Sequence, residues 1–592
     1  MTIRKITRAP KERHFGVYDL EWNPDTMAPR LYGFFDGSHY QAFKSVNAFM
    51  EHILRPQYTG WWFFAHAGGL ADVPFLLQWM ADHPEYQVTA RFSGSAAVMV
   101  EISKKVKVRN RRTGAVRWKK GAVWTLVDSF FLLRTKLRNI GKWLGEGSEK
   151  GGAEGDTSIF YAPFPELRAY NEQDCRILHR GIGVFQDQLE ILGGELMPTI
   201  ASTAMRLFRR AYLKGDIRTT GSVNTRLRDS YIASRVEVFK KRITNAHQYD
   251  INSSFPYSMT KPVPGELLFV SENLPELESE CWFADVEITV PDMEIPPLPY
   301  RSDNKVYFPT GSWRGWLSGV DLRFLLEKGG TIEKVREVLV YEERDDLAEY
   351  VNDLYERRRV ATTDFEKVIY KFLLNSLYGK FGERTEKTTL ILNPVSTNLL
   401  KPIYDAQGRA TRTGERLFPG AILLTEDRAI AHEHVPIASL VTANSRRLIS
   451  SVLYSAAEQC GDIPAYTDTD SLVTRAVLPC SDKLGDLKLE RDVDNGEFFA
   501  PKFYRIDGGV KAKGFSRITS DGFQLLIDGY AGQFERQARP REMLRTGNLT
   551  PRTLHIPKQL RFKKENEKRV FSDDGETSRP YTVAEIVAQR ER

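Results

Sequence analysis

The sequence predicts a multi-domain protein of mixed α/β fold, for three reasons. Its 592 residues exceed what one hydrophobic core holds, so two or more folded units are expected. Residues 14–190 alternate short strand-like runs with helical stretches, which is typical of an α/β unit. From about 190 to 500, strands and helices mix without regular order, and the chain beyond 500 is markedly basic.

Composition excludes several classes of protein. Apolar residues make up 41% and charged residues 27%, as in a globular protein rather than a disordered or fibrous one. No apolar run approaches the ~18 residues of a membrane span, and the polar, basic start is not a secretory signal. Four scattered cysteines form no CxxC pair, which argues against zinc and against disulfides. We therefore expect a monomeric protein of the cytoplasm.

The net charge of +7 permits a polyanionic partner without demanding one. Residues 145–156 are rich in glycine and charge and indicate a surface loop. The densest basic run is 558–569, which suggests contacts with a nucleic-acid backbone; a solvated tail helix is the alternative.

The strongest motif is Tyr-Thr-Asp-Thr-Asp-Ser at 466–471. On a strand, Tyr466, Asp468 and Asp470 would share one face. Paired carboxylates repel each other, and a fold keeps such a pair mainly where a cation lies between them. An acidic hairpin tip is the alternative, but apolar residues on both sides favour buried strands.

A second acid, Asp250, ends a strand-like run just before a turn that contains a proline. Backbone N–H groups of this turn, which includes Ser253 and Phe255, can hold a phosphate while Asp250 holds a metal ion. A plain Asx-turn is the alternative.

Polar residues also form one stripe of a helix. They recur at spacings of four, four and three, at Lys367, Lys371, Asn375 and Tyr378. Gly379 at the end of the stripe would let a flat ligand approach the backbone, and Arg359 lies roughly on the same side. A row of cations suits a triphosphate, whereas the ordinary alternative is the wet side of a helix. With Asp250 and Asp470 as ligands of two Mg²⁺ ions, this set predicts phosphoryl transfer.

The first zone holds a second set of acids. Asp19 and Glu21 lie two apart on a strand-like run, Asp72 follows, and Tyr170 and Asp174 lie four apart on a helical pattern. A lone Asp-x-Glu means little, but nuclease chemistry needs about four such ligands around two metal ions and a group that orients water.

The order DINSSFP, KFLLNSLYG and YTDTDS resembles motifs A, B and C of family B DNA polymerases, and most of all their protein-primed branch in small phages and linear plasmids. The resemblance implies that Asp250 and Asp470 bind the metal ions and that Asp468 supports them. It further implies that Lys367 and Lys371 contact the triphosphate. Asn375, Tyr378 and Gly379 would shape the nucleotide pocket. Phe255 stands where the family commonly has tyrosine, and its ring would still exclude a 2′-hydroxyl.

The first set resembles the 3′–5′ exonuclease motifs of the same polymerases, which lie on an RNase H-like fold. This implies that Asp19, Glu21, Asp72 and Asp174 bind two Mg²⁺ ions, for which Mn²⁺ can substitute, and that Tyr170 orients the attacking water. Ser129 would contact the single strand, Phe75 would stack on a base, and Lys150 would match an auxiliary lysine. Ala67 and Ala71 replace groups that grip the unpaired 3′ end in relatives, so strand binding should be weaker there.

Two further elements are weaker matches. Lys502 and Tyr504 resemble a Lys-x-Tyr element that contacts the primer end. Tyr231 begins the counterpart of a Tyr-x-Gly-Gly linker, but Ala233 and Ser234 replace both glycines, which puts the balance of synthesis and degradation in question.

The resemblance implies an RNase H-like exonuclease domain followed by a right-hand polymerase domain. The expected segments are the exonuclease 1–190, palm 191–260, a first insertion 261–345, fingers 346–387, a second insertion 388–435, palm 436–500, and thumb with C-terminal region 501–592. In relatives the insertions bind the terminal protein and encircle the template.

The predicted function is template-directed DNA synthesis with proofreading, on template and primer DNA with deoxynucleoside triphosphates. Two modes of priming stay open: a terminal-protein hydroxyl with strand displacement, or an ordinary primer without such a partner. A non-catalytic DNA-binding scaffold and a nuclease without synthesis are disfavoured, because the metal carboxylates and the nucleotide-pocket helix are all present.

Overall fold

The structure is a computed structural model. It describes the whole chain except residues 110–115, 146, 149, 152–156, 277, 429, 516–517, 560–566 and 591–592. Most of the loop expected at 145–156 and the middle of the basic run 558–569 lie outside the described residues.

The first region forms a sheet with a parallel centre. The short N-terminal strand β1 (Thr2–Ile3) lies outside this sheet. The strands of the sheet in this region are β2 (Phe15–Trp22), β3 (Pro29–Phe35), β4 (Tyr40–Phe43), β5 (Trp62–Ala65), β6 (Tyr86–Ser93), β7 (Ala96–Arg109) and β8 (Val116–Asp128). β5 pairs in parallel with β2 and β8, and the outer neighbours are antiparallel. All four residues of β5 are buried, as expected for a strand covered on both faces.

The helices cover the sheets and join the regions. They are α1 (Val46–Ile53), α2 (Val73–Asp82), α3 (Leu137–Leu144), α4 (Phe164–Ile191), α5 (Ile200–Leu207), α6 (Gly221–Leu227), α7 (Ser254–Met259), α8 (Gly319–Glu327), α9 (Asp346–Val360), α10 (Asp364–Ser376), α11 (Val435–Cys460), α12 (Ser520–Ile527), α13 (Pro540–Thr546) and α14 (Val583–Arg590). α4 packs on β2 and β3, and α9 packs on α10. No helix in the described part of the chain is both long and apolar enough to cross a membrane.

The middle of the chain supplies a second sheet. The strands that follow along the chain belong to this sheet or to other sheets. They are β9 (Ile217–Arg218), β10 (Val236–Val238), β11 (Arg242–Ile251), β12 (Val263–Ser271), β13 (Trp282–Val290), β14 (Tyr300–Ser302), β15 (Lys305–Tyr307), β16 (Gly311–Ser318), β17 (Thr331–Arg344), β18 (Glu386–Leu392), β19 (Ile403–Tyr404), β20 (Ala410–Phe418), β21 (Ala421–Asp427), β22 (Tyr466–Asp468), β23 (Ser471–Thr474), β24 (Leu487–Ala500), β25 (Phe503–Ile506) and β26 (Gly509–Ala512). The second sheet has the order β10-β22-β23-β11-β24-β25-β26. Its centre therefore brings the end of β11 beside the β22–β23 hairpin.

Two other groups of strands lie outside the second sheet: one forms a separate sheet and the other extends the first sheet. β12, β17, β13 and β16 form a sheet of their own, with a core that includes Trp282 and Leu322. β18 instead pairs with β6, so β18–β21 extend the first sheet to eleven strands. Pairing across some 300 residues of sequence follows from long-range contacts that local patterns do not encode.

The C-terminal region runs back across the molecule. β27 (Ala531–Gln537) and β28 (Thr553–Gln559) form a hairpin, and α13 packs on α2 and β7 of the first region. β29 (Arg569–Phe571) and β30 (Ser578–Pro580) then return to the second sheet, where Ser578 Oγ donates to Phe239 O. α14 packs on β16.

A buried ion pair joins α11 to α8. Arg446 is 2% exposed, and its Nη2 lies 3.0 and 3.1 Å from the two carboxylate oxygens of Asp321. Removing one partner of a buried pair leaves an uncompensated charge. We expect Asp321→Asn to lower the free energy of unfolding by about 3–5 kcal/mol, measured as a shift of the denaturant midpoint.

The matched control is Glu172→Gln, which removes an acid whose partner, Arg176, lies on the surface. Its effect should stay within about 1 kcal/mol. Equal shifts for the two variants would contradict a structural role for the buried pair.

Candidate active sites

The first candidate site lies where α4 crosses β2. Asp19 and Glu21 point from β2 toward α4, and the Asn171 amide donates to Asp19 Oδ2 at 2.9 Å and to Glu21 Oε1 at 3.2 Å. A Cβ at Gly33 would lie 1.7 Å from Asn171 Oδ1, so the glycine makes room for this amide. Sequence reasoning missed Asn171; its only signal was its place between the predicted Tyr170 and Asp174.

The other two acids of this set come from α2 and α4. Asp72 is 2% exposed at the start of α2 and accepts the backbone N–H of Leu20 at 3.0 Å. Asp174, on α4, forms an ion pair with Lys150 Nζ, which also lies 4.6 Å from the centre of the Tyr170 ring. The structure thus brings together the predicted acids, Tyr170 and Lys150.

Burial and mutual repulsion govern the charge of these acids. The pKa of Asp19 rises to about 7, first because of burial and then because of the Asp174 charge. Burial, followed by the charge of Asp19, raises the pKa values of Glu21 and Asp72 well above their ordinary range. At neutral pH this cluster is under electrostatic strain that a cation would relieve.

The donors of the first set fit a divalent cation, although they are not arranged as a finished site. Within the described ranges, no three carboxylate, imidazole or thiol groups already form a metal-binding cluster. Lys150 and Asn171 occupy oxygens that an ion would need, yet Asp174 Oδ1 is buried without a hydrogen-bond partner. Oxygen-only donors suit Mg²⁺.

The second candidate site is a cavity of about 970 Å³ beside the second sheet. It is lined by residues from all three central motifs and from neighbouring loops: Asp250, Ile251, Asn252, Ser253, Ser254, Phe255, Tyr355, Arg358, Arg359, Lys367, Lys371, Asn375, Asp470, Ser481, Asp482, Lys483, Lys488 and Glu490. Acids lie at its floor, on β11 and the β22–β23 hairpin, and cations on α9 and α10.

The acids of the cavity repel one another as well. Burial raises the pKa of Asp250 to about 7, and the charges of Asp470 and Glu490 add to the shift. Burial and the Asp468 charge raise the pKa of Asp470. Asp468 itself is held by Lys502, whose Nζ lies 2.7 Å from Asp468 Oδ1. A cation bound between the cavity acids would therefore reduce their mutual repulsion, as it would at the first site.

The expected geometry of motif C is wrong in one respect. Asp468 ends β22 and pairs with Ser471, so Thr469 and Asp470 form a two-residue hairpin tip rather than a continuous strand. Thr469 has a φ of 68°, which turns the chain between the two acids. Asp250 nevertheless pairs with Ser471 on the neighbouring strand, so Asp470 still faces it.

The nucleotide-pocket residues divide into two groups. Lys367, Lys371 and Asn375 line the cavity from α10, while Tyr378 and Gly379 follow in a 3-10 turn at Tyr378–Lys380. The ring of Phe255 stacks on that of Tyr378 at 4.5 Å. A Cβ at Gly379 would meet no atom within 4 Å, so open space faces it.

Several cavity cations were missed from the sequence. Arg358 lines the cavity beside Arg359 at the end of α9, and Lys483 and Lys488 line its other side. Arg359 forms an exposed pair with Glu356. The run Glu-Arg-Arg-Arg at 356–359 was the available signal, but the spacing to Lys367 selected Arg359 and passed over Arg358.

The linker fixes the hairpin that carries Asp470. Ser234 Oγ donates to Thr469 O at 3.0 Å, and Thr469 N donates to Arg235 O at 2.8 Å. The Tyr231 ring lies against Gly382, where a Cβ would come within 2.4 Å of it. The serine that replaces a family glycine thus makes a bond that glycine cannot.

Behind this linker lies a buried charge cluster that sequence reasoning missed. Arg235, Glu237 and Arg569 are each fully buried, and Arg235 Nε lies 2.6 Å from Glu237 Oε2. Lys568 donates to Val236 O. Alternating charges in a strand usually mark its wet face, so the local pattern pointed the other way.

This cluster corrects part of the interpretation of the basic run 558–569. Its last two cations, Lys568 and Arg569, bind the second sheet from inside and do not face a nucleic-acid backbone. Residues 560–566 of the run lie outside the described residues.

Three residues expected at DNA are core residues in the structure. Ser129 is fully buried and bonds to Ala65 O and His66 Nδ1. Phe75 is 7% exposed and its ring packs against Trp22, and its stacking on a base stays a prediction. Tyr504 is 7% exposed between Tyr466 and Phe498, a packing position.

Comparison with known proteins extends these observations. The family model described as DNA polymerase type B, organellar and viral, matches residues 161–404. A probable DNA polymerase of Ascobolus immersus is 28% identical over 359 residues, covering 57% of this chain and 29% of its own length. The DNA-directed DNA polymerase of Enterobacteria phage PRD1 is 24% identical over 562 residues, covering 88% of this chain and 89% of that one. The chain spans less than half the length of the fungal relatives it matches.

Solved structures share the fold over nearly the whole chain. Phi29 DNA polymerase complexed with primer-template DNA and incoming nucleotides aligns with a TM-score of 0.70 at 16% identity, over 93% of this chain and all of that one. This likeness confirms the expected RNase H-like exonuclease domain followed by a right-hand polymerase domain as the fold. The resemblance to family B DNA polymerases that the motifs indicated is confirmed by the comparisons, since the model that matches residues 161–404 describes the organellar and viral group of that family.

Proposed function

We propose that the chain is a template-directed DNA polymerase with a separate 3′–5′ exonuclease site. The observation that supports the polymerase most directly is that Asp250, Lys371 and Asp470 line one cavity of about 970 Å³. These three residues come from three motifs that lie far apart in the sequence. The acids of β11 and the β22–β23 hairpin, with the cations of α9 and α10 in the same cavity, suit a nucleoside triphosphate held near metal ions.

In the polymerase site, Asp250 and Asp470 would hold Mg²⁺, which when bound activates the attacking oxygen and stabilises the leaving pyrophosphate. Lys367, Lys371 and the α9 arginines bind the triphosphate and balance its charge. The Phe255 ring, braced by its stacking on Tyr378, lies where a sugar would rest and excludes a 2′-hydroxyl by size.

In the exonuclease site, Asp19, Glu21, Asp72 and Asp174 would hold the metal ions. Tyr170 orients a water molecule. Burial raises the pKa of Asp174, and the Lys150 charge opposes that shift in part. Asn171 fixes the rotamers of Asp19 and Glu21 through its two hydrogen bonds.

The two insertions fit a role in priming and processivity. The first forms its own sheet, and the second extends the exonuclease sheet, so each presents surface outside both carboxylate sites. We place initiation on a terminal protein with strand displacement first, and extension of an ordinary primer as the alternative, in the host cytoplasm.

The two-site assignment is tested by separating the activities. Asp470→Ala should lower nucleotide incorporation at least about 1,000-fold, the scale on which removing one member of a catalytic unit acts, while degradation of single-stranded DNA persists. Asp19→Ala with Glu21→Ala should do the reverse. Primer extension and single-strand degradation are measured on the same preparations.

Asp492→Ala is the matched control for the polymerase site, because its carboxylate is exposed on the same sheet and pairs with His247. It should leave both activities intact. Loss of both activities in Asp470→Ala would sink the two-site assignment, and Mg²⁺-dependent degradation in the double variant would exclude this exonuclease site.

Priming by protein predicts a covalent product. With a candidate terminal protein and labelled deoxynucleotide, a nucleotide should become attached to a Ser, Thr or Tyr hydroxyl of that partner. Asp470→Ala should abolish the attachment. Extension of an annealed primer past a blocking strand, with no attachment under any condition, would favour the alternative.

The backbone conformation at Ala67 bears on the weaker strand binding that is expected in the exonuclease site. Its φ of 58° lies in the left-handed region, which costs an L-residue about 1 kcal/mol and which asparagine tolerates better. Ala67→Asn should raise the melting midpoint and speed removal of mismatched 3′ ends. Ala71→Asn is the control, since Ala71 lacks a positive φ and should gain no stability; equal effects of the two changes would refute the assignment.

A further inference from the structure

The β7–β8 hairpin extends beyond the first sheet as an arm. Its described residues are 104–109 and 116–120, and none of them is buried. The arm begins at Gly121, where a Cβ would come within 2.8 Å of Val106, and at a register shift between Ser103 and Lys105. At about 3.4 Å per residue, each strand projects roughly 17 Å from that point.

The arm is strongly basic. Its eleven described residues include seven lysines and arginines and no acid, so its charge equals the +7 of the entire chain. Lys120 pairs with Glu101 at the base, but Lys107, Arg117 and Lys119 form no ion pair with a described residue. The net positive charge of the protein is thus concentrated in one projection.

Cations and an aromatic ring share one face of this arm. Paired residues of an antiparallel hairpin lie on the same side, and the pairs Lys105–Lys120, Lys107–Trp118 and Arg109–Val116 alternate with the opposite face. Trp118 is 48% exposed, and Lys107 Nζ lies 5.1 Å from the centre of its ring.

Such a face is unfavourable in isolation. Like charges placed directly opposite, as at Lys105 and Lys120, destabilise a strand pair, and an exposed tryptophan gains nothing from water. Both costs vanish if a polyanion with flat, apolar bases covers the face. Phosphates would then pair with the cations, and a base would stack on the tryptophan ring.

The arm is distinct from the carboxylate sites. Trp118 precedes Asp128 by ten residues of β8, which corresponds to about 34 Å of strand, and Asp128 lies near Asp72 at the exonuclease site. A strand bound at the arm therefore does not occupy that site.

We propose that the described part of the β7–β8 arm binds single-stranded DNA, with a base stacked on Trp118 and flanking phosphates bound by the arm's lysines and arginines. The ligand is a single strand because stacking needs an unpaired base, whereas a paired duplex offers the ring only its edges. The proposal rests on the proposed function only for the identity of the polyanion.

The test is direct binding of a fluorescent oligothymidylate, in EDTA so that neither synthesis nor degradation occurs. Trp118→Ala should weaken binding about 5-fold or more, the scale of one lost base stack. Lys105→Ala with Lys107→Ala and Arg109→Ala, which removes cations from the face that carries Trp118, should reduce the slope of log K against log salt by about 2, since each phosphate contact to a single strand contributes about 0.7.

Two matched controls separate the arm from general effects. Tyr161→Ala removes a ring of equal exposure, 50%, in another part of the same region. Lys5→Ala with Lys214→Ala and Arg218→Ala removes the same charge from the exposed surface near β1 and β9. Melting midpoints of the arm variants should match the parent, because none of the changed arm side chains is buried.

Wild-type binding in the arm variants, or equal losses in the controls, would overturn the proposal. An equal loss of duplex binding would overturn the assignment to single strands. Incorporation on a short recessed primer should stay unchanged in the arm variants. A parent chain that binds through the arm but incorporates no nucleotide would refute the proposed polymerase and leave the arm standing.

Discussion

The mutual repulsion of buried carboxylates governs the architecture of this protein. In each site the fold drives acids together out of water, and the pKa values of Asp19 and Asp250 rise to about 7 as a result. A purely structural role would select against such an arrangement, because burying like charges costs free energy without return. Cations that bind between these carboxylates would offset the cost. Two lysines already offset part of it, since Lys150 pairs with Asp174 and Lys502 pairs with Asp468.

Holding such acids in place demands rigidity behind them. At the β22–β23 hairpin this comes from the linker, through Ser234 and the backbone of Arg235, and from a charge cluster completed by Arg569. Arg569 lies about a hundred residues beyond motif C, on a strand reached only after the chain has visited the exonuclease side. The C-terminal segment is therefore part of the scaffold of the second site, even though none of its described residues lines the cavity.

Much of the fold and the site could be predicted from the sequence, and the misses have physical causes. Short strand-like runs between helical stretches predicted an α/β unit in the first region, and spacing placed Lys367 and Lys371 on one face of α10, because these patterns are local. Asp470 was expected on a strand, since nothing local signals the positive φ at Thr469. The burial of Ser129 and Phe75 depends on packing partners that lie far away in sequence.

The same limit explains why the second insertion was expected as a separate segment and is found as part of the first sheet. β18 bonds to β6, and β6 to β7, so the insertion, the arm and the exonuclease strands share one continuous ladder of backbone hydrogen bonds. Moving any of them relative to the others would break that ladder. Asp250 and Asp470 lie on a different sheet. Under the proposed function, a DNA strand that passes between the two sites would cross the boundary between the sheets, and Tyr231 and Ser234 lie in the linker beside that boundary.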